Sequence, residues 1–177
     1  MKYLLAILAV VISIYVIYRG YPIVQYYYKK YTAPLKGINT KAPNAKAFTM
    51  DGKEWSVRSN LGKNIIIVFW SSYCPPCIAE FPRIQKIYDM YKDDESIEIV
   101  TYSLDLSLDQ EALKPYVKEK GISYPVLVDN NPADSEENFA KKFEVFGAPS
   151  FWFIDKKGTI LASNRRSIEE MLPFIEK

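Results

Sequence analysis

Cys74 and Cys77 are the only thiols among 177 residues, and both lie in one short stretch, "VFWSSYCPPCIAEFP", Val68 to Pro82. Thiols at this spacing support three chemistries: zinc ligation, a structural bridge, or reversible oxidation of the pair. A structural zinc site takes four ligands, normally Cys or His. With two cysteines and no histidine the chain does not complete one by itself, so no metal is expected. The lack of histidine also removes Ser-His-Asp and Cys-His catalysis. A bridge across two residues closes so small a loop that it takes little entropy from the unfolded chain, which leaves a structural disulfide as the weaker alternative. Thiol–disulfide exchange is the chemistry that suits the pair.

Exchange needs one nucleophilic sulfur and a second to resolve the mixed disulfide, and the flanking residues are arranged for both. "NIIIVFW", Asn64 to Trp70, is a continuous β-branched and aromatic run of the kind required in a central strand buried on both faces. From Pro75 to about Lys92, apolar groups recur at helical spacing (Ile78, Phe81, Ile84, Ile87, Tyr88, Tyr91), with a kink expected at Pro82, which has no N–H for the Ile78 carbonyl. Cys74 is then the N-cap and Pro75 the first helical residue, where the missing N–H would have been unsatisfied anyway. The helix dipole favours a thiolate at Cys74, and Cys77, one turn in, is placed to attack the mixed disulfide and release product. Pro75 and Pro76 withhold two backbone donors from the Cys74 sulfur. Its thiolate is therefore expected to be less stabilised than in strongly oxidising motifs, and the pair to act as a reductant.

Around this loop the chain alternates strands and helices. "AFTMDGKEWSV" places Asp51 and Gly52 between two short alternating runs, a hairpin signal. Ser96 to Asp105 reads as a strand, Asp109 to Gly121 as a helix closed by glycine, and "YPVLVD" as a strand. "DSEENFAKKFEVF" reads as a helix beginning at Asp134 or Ser135. "SFWFID" and "TILAS" flank a "KKG" turn as antiparallel strands, and Ser167 with Glu170 forms a capping-box signature for a last helix to about Lys177. The order predicts an α/β fold over residues 42–177, a central mixed sheet flanked by helices, with Trp70 and Trp152 in its core.

The first residues differ in kind. Tyr3 to Tyr18 is apolar apart from Ser13, longer than a signal-peptide core of about 7–15 residues, and no A-x-A site follows it. Residues 1–28 therefore read as an uncleaved transmembrane anchor, Tyr3 to about Val24 giving the roughly 20 residues a crossing needs. Arg19 would snorkel to the interface, and Tyr15, Tyr18, Tyr21 and Tyr26 to Tyr28 would form an aromatic belt. Lys2 on one flank against Arg19, Lys29 and Lys30 on the other leaves the orientation open. Residues 29–41, polar and carrying Pro34 and Gly37, read as a linker. The net charge of +2, from 23 basic and 21 acidic residues in mixed order, gives no reason to expect a nucleic-acid partner.

The segments "KAPNAKAF", "DGKEWSV", "LGKNIIIVFWSSYCPPCIAEFPRIQKIY", "LKPYVKEKGISYPVLVD" and "VFGAPSFWFIDKKGTI" carry a resemblance. In order and spacing, the chain after about Ala42 resembles the membrane-anchored, thioredoxin-like TlpA/ResA/DsbE reductases of bacterial envelopes. The resemblance implies a thioredoxin-like fold with an N-terminal β-hairpin, preceded by one transmembrane helix. It makes Cys74 the attacking sulfur, Cys77 the resolving one, their disulfide the redox bond, and Glu80 the carboxylate near the dithiol. It makes Pro149 a cis-proline whose loop faces the cysteines and hydrogen-bonds an extended substrate segment. Tyr73, where the family usually has Trp, and Ala148, just before the proline, depart from the pattern on the substrate-facing surface and bear on partner choice.

No cofactor is implied. The implied partners are disulfide-bearing envelope proteins, apocytochrome c in cytochrome c maturation among them, and a transmembrane thiol reductase of the DsbD/CcdA type as electron donor. The resemblance also sets the amino terminus in the cytoplasm and the catalytic domain on the periplasmic side of the bacterial cytoplasmic membrane, and two cysteines with no others to mispair suit an oxidising compartment. Three rival readings use the same residues. An oxidase or isomerase would run the dithiol in the other direction, and a binding module would hold a partner at the Pro149 cleft. A peroxidase is disfavoured, because Ser71 stands three residues before Cys74 but Ile67, not proline, stands seven before it.

Overall fold

Ile65 to Trp70 are shielded from solvent on both faces. A strand with no polar side chain over that length is stable only where sheet neighbours and both covering layers are protein. In the computed structural model, which describes Tyr15 and residues 17–21, 37–105 and 110–175, this strand lies inside a seven-stranded sheet. The strands are β1 (Lys46–Thr49), β2 (Glu54–Ser56), β3 (Asn64–Trp70), β4 (Ile97–Ser103), β5 (Val126–Val128), β6 (Ser150–Ile154) and β7 (Ile160–Arg165). Their order is β2-β1-β5-β4-β3-β6-β7. β3, β4 and β5 are parallel, and the hairpins β1–β2 and β6–β7 close the two ends antiparallel, so the expected mixed sheet and N-terminal hairpin are both present. The helices of residues 37–175 are α1 (Pro75–Tyr91), α2 (Gln110–Glu119), α3 (Phe139–Lys142) and α4 (Leu172–Ile175).

The side-chain alternation of β3 divides the core. Ile66, Val68 and Trp70 meet Phe81, Ile84 and Ile87 of α1, Leu113 of α2, and Ile168 and Met171. Ile65, Ile67 and Phe69 meet Trp55, Phe139, Phe143 and Trp152 on the other side. Each such side chain contributes about 1.5–3 kcal/mol by burial. An exposed ion pair such as Lys46–Glu54, its side chains 60% and 53% accessible, adds only about 0–1 kcal/mol, so the two apolar layers hold the fold.

Two elements differ from expectation. α3 is capped by Asn138, not by Asp134 or Ser135: Asn138 Oδ1 accepts the Lys141 N–H at 3.2 Å, and Asp129 Oδ2 accepts the Phe139 N–H at 2.7 Å. Upstream, the Ser135 N–H donates to the Pro132 carbonyl and the Asn138 N–H to that of Ser135, so residues 132–138 turn twice before the helix begins. The Ser167–Glu170 capping box does not form. The Ser167 hydroxyl donates to Glu169 Oε2 at 2.7 Å, and Glu170 Oε1 accepts from the Arg166 N–H at 3.0 Å. Residues Ile168–Met171 wind as a 3₁₀ turn, whose three-residue repeat stacks the buried Ile168 and Met171 on one side, and the short α4 follows. α1 itself continues through Pro82 to Tyr91. α2 ends as expected: Gly121, at φ +65°, lets the Ile122 N–H return to the Val117 carbonyl at 3.1 Å.

Residues at the end of the stretch read as linker lie along β7. The Asn39 N–H donates to the Ile160 carbonyl, the Ile160 N–H to Thr40, and Lys41 bridges to Thr159. The expected membrane segment, Tyr3 to about Val24, lies outside the described residues except for Tyr15 and residues 17–21, which are helical. Among the described residues no helix is long and apolar enough to cross a membrane.

Candidate active site

The site is built where β3 ends and α1 begins. Leu104, just past the parallel β4, donates its N–H to the Trp70 carbonyl at 2.7 Å and fixes the end of the strand. Asp105 then braces the turn: Oδ1 accepts the Ser71 hydroxyl and Oδ2 the Ser72 N–H at 2.8 Å. The Cys74 N–H donates to the Ser71 carbonyl at 3.1 Å, so the brace carries through to the first sulfur. Beneath the loop the buried Trp70 indole meets Phe81 edge-on at 5.0 Å, stacks on Tyr116 at 6.1 Å, and donates to Thr101 Oγ1 at 3.1 Å. The Tyr116 hydroxyl is buried without a partner among the described residues, and burial pushes its ionisation up, so it stays a neutral phenol there.

Cys74 takes the extended backbone of an N-cap, followed by Pro75 and Pro76 as the first two helical residues. The pair is joined as a disulfide, with Cα atoms 5.2 Å apart. Cys74 is half-buried at the surface, whereas Cys77 is 1% exposed. Of the two sulfurs, Cys74 is thus the one open to solvent, and Cys77 lies beneath it. The Cys77 N–H donates to Cys74 Sγ at 3.3 Å, and the prolines between them have no N–H to add.

Glu80 follows Cys77 by three residues, which places both on one face of α1. It is 7% exposed; Oε1 accepts from Arg83 Nη1 at 2.7 Å, while Oε2 is buried with no partner among the described residues. On the neighbouring strand, the β3–β6 register pairs Phe69 with Ser150, so the next step brings Pro149 beside Trp70 and the start of the dithiol loop. The Ala148–Pro149 bond is cis, as the resemblance implies. Ala148 packs on the same core layer as Cys74, and Tyr73, 78% exposed, projects beside Cys74.

All six residues singled out from the sequence, Cys74, Cys77, Glu80, Pro149, Ala148 and Tyr73, therefore lie at the end of the sheet where β3 stops and β6 begins. Asp105 was missed. Its one signal is its place just beyond the carboxyl end of a parallel strand, where α/β sheets gather their functional loops. Ser71, which a peroxidase would aim at the sulfur, donates its hydroxyl hydrogen bond to Asp105. No group of three or more His, Cys, Asp or Glu able to hold a metal ion occurs among the described residues.

A model of the AhpC/TSA family matches residues 38–163. Thiol-disulfide oxidoreductase ResA of Bacillus cereus is 26% identical over 160 residues, spanning 89% of this chain and 87% of that protein. Sporulation thiol-disulfide oxidoreductase A of Bacillus subtilis is 29% identical over 113 residues, 63% of this chain and 64% of that one. The crystal structure of StoA from Bacillus subtilis superposes with a TM-score of 0.60 at 25% identity, covering 80% of this chain and 99% of that chain.

Proposed function

We propose that this chain, which belongs to the AhpC/TSA family and is a thiol-disulfide oxidoreductase, works in the reducing direction on disulfides of bacterial envelope proteins. Its N-terminal segment holds it in the cytoplasmic membrane with the catalytic domain on the outer side. A transmembrane thiol reductase of the DsbD/CcdA type restores its dithiol, and the haem-site disulfide of apocytochrome c is one substrate.

The observation that carries the direction is the poverty of donors around Cys74. Its sulfur has the Cys77 N–H at 3.3 Å, and Pro75 and Pro76 supply none. A hydrogen bond to a charged group is worth about 1.5–3 kcal/mol. For a two-electron couple with 30 mV per 1.4 kcal/mol, each withheld donor lowers the potential by roughly 30–65 mV. A thiolate left this bare gives its electrons away more readily.

In the reaction, the Cys74 thiolate attacks the substrate disulfide and the first substrate thiol leaves. Cys77 then loses its proton, for which the idle oxygen of the buried Glu80 is the acceptor, and attacks Cys74. The second substrate thiol leaves and the protein is oxidised. The Ala148–Pro149 loop holds the substrate backbone, with Tyr73 on the same surface. The test is the reduction potential of the full chain in glutathione and dithiothreitol buffers. A value near or below about −220 mV is expected; one above about −180 mV would make oxidase or isomerase the function.

A further inference from the structure

On its β7 side the loop before β6 is not held by a regular ladder. The β6–β7 register shifts between Phe151 and Phe153 and again between Phe153 and Ile154, and side chains take over at the end nearest the dithiol. Arg166 Nη1 donates to the Pro149 carbonyl at 3.1 Å. The Ser150 hydroxyl donates to Asn164 Oδ1 at 3.1 Å. Glu170 fixes the arginine in turn, its Oε1 accepting the Arg166 backbone N–H at 3.0 Å while Oε2 lies 3.5 Å from Arg165 Nη1. The fully buried Ile168 and Met171 anchor the 3₁₀ turn that carries Glu170. The same turn reaches towards α1 through Glu169 and Arg83, but at 3.8 Å and about half exposed that pair adds little. The bond to Pro149 is the one with leverage.

We propose that Arg166 is a positioning residue for recognition of the substrate backbone, set in place by Glu170. The inference rests on the reading that the Ala148–Pro149 loop receives an extended substrate segment. By drawing the Pro149 carbonyl inward, the guanidinium orients the peptide plane that follows the proline and leaves the backbone groups of Ala148 to face the dithiol. A charge-assisted bond is about twice as strong as a neutral one, which suits a loop whose β7-side ladder is irregular. The preference at stake is for a disulfide set in polypeptide over a small disulfide with no backbone to pair.

The reduced full chain is reacted with two mixed disulfides of 2-nitro-5-thiobenzoate, one on free cysteine and one on the single cysteine of an uncharged, extended decapeptide. Cys74 bonds to the cysteine sulfur and expels the coloured thiolate. Cys77 then displaces the cysteine thiol, so the two electrons of the dithiol pass to the mixed disulfide and the Cys74–Cys77 bond forms. The readout is the rate with the peptide divided by the rate with cysteine. Arg166→Met is expected to lower this ratio about fivefold, roughly 1 kcal/mol, without moving the reduction potential. Arg166→Lys restores most of the ratio, and Glu170→Gln lowers it by about half as much on the same logarithmic scale.

A ratio unchanged in Arg166→Met but lowered in Pro149→Ala overturns the role of Arg166 and leaves the loop as the substrate wall. A ratio unchanged in both overturns the reading of the loop itself. Equal losses with both disulfides in Arg166→Met would mean that the arginine acts on the dithiol and not on recognition, and would also overturn the inference.

Discussion

Ile65, Ile67 and Phe69 turn towards a layer in which Trp55, Tyr102, Phe139, Phe143 and Trp152 pack ring against ring, with Phe139 5.0 Å from both Tyr102 and Phe143. Ile66, Val68 and Trp70, interleaved with them in the same strand, turn towards a layer that also encloses Cys77 and, on α1, the buried Glu80. Among the described residues the first layer buries no carboxylate, and its one unpaired polar group is the Tyr102 hydroxyl, buried without a partner among those residues. The second buries a carboxylate oxygen and the hydroxyls of Tyr116 and Tyr124 without partners among the described residues. Each unpaired polar group costs about 1–3 kcal/mol. One strand thus separates a mainly aromatic layer from one that also buries a carboxylate oxygen beside the dithiol, at a cost in stability.

Four substitutions test that division. Cys74→Ser should reduce exchange to background in a thiol-release assay while leaving the melting temperature of the reduced protein unchanged. Full biological activity in that variant would move the function to partner binding at the Pro149 loop. Phe139→Ala, at a fully buried position of the aromatic layer, should cost about 3–5 kcal/mol in urea unfolding with no change in reduction potential. If the potential moved as well, the two layers would not be independent.

Asp105→Ala strands the Ser71 hydroxyl and the Ser72 N–H, for a loss of about 1–3 kcal/mol, and should slow exchange because the loop under Cys74 loosens. Unchanged exchange would confine Asp105 to stability. Tyr124→Phe has the smallest effect and depends on pH. Burial pushes the ionisation of Tyr124 up, so its neutral form favours the folded state fully below the unfolded tyrosine's value of about 10, and that contribution is lost as pH rises above it. The variant should be as stable as the parent near neutrality or slightly more so, with a flatter decline in unfolding midpoint between about pH 9 and 12. A decline as steep as the parent's would mean that other groups drive alkaline unfolding.

Features set by a few adjacent residues were legible in the sequence. The six apolar residues from Ile65 to Trp70 admit only a strand covered on both faces, and Asp51–Gly52 turns the first hairpin, Gly52 taking φ +86°. The two prolines announce the start of α1 and, with it, the unequal positions of Cys74 and Cys77. What stayed hidden depends on partners far along the chain. The beginning of α3 is set partly by Asp129, ten residues before Phe139, which no local capping pattern contains. Ser167 and Glu170 have the spacing of a capping box, but Arg165 and Arg166 engage Glu170 first. Asp105 reads as the last residue of a strand, and its tie to Ser71 and Ser72 exists only once β3 and β4 lie side by side.

The placement of the three tryptophans has a practical meaning. Trp70 is packed on the dithiol's side of the sheet, four residues before Cys74, while Trp55 and Trp152 lie across the sheet in the aromatic layer. A disulfide accepts an electron from a nearby excited indole and darkens it; a dithiol does so far less. The chain therefore carries its own optical gauge. On reduction the emission of Trp70 should brighten against a steady background from the other two, and each turnover becomes visible in the unlabelled protein.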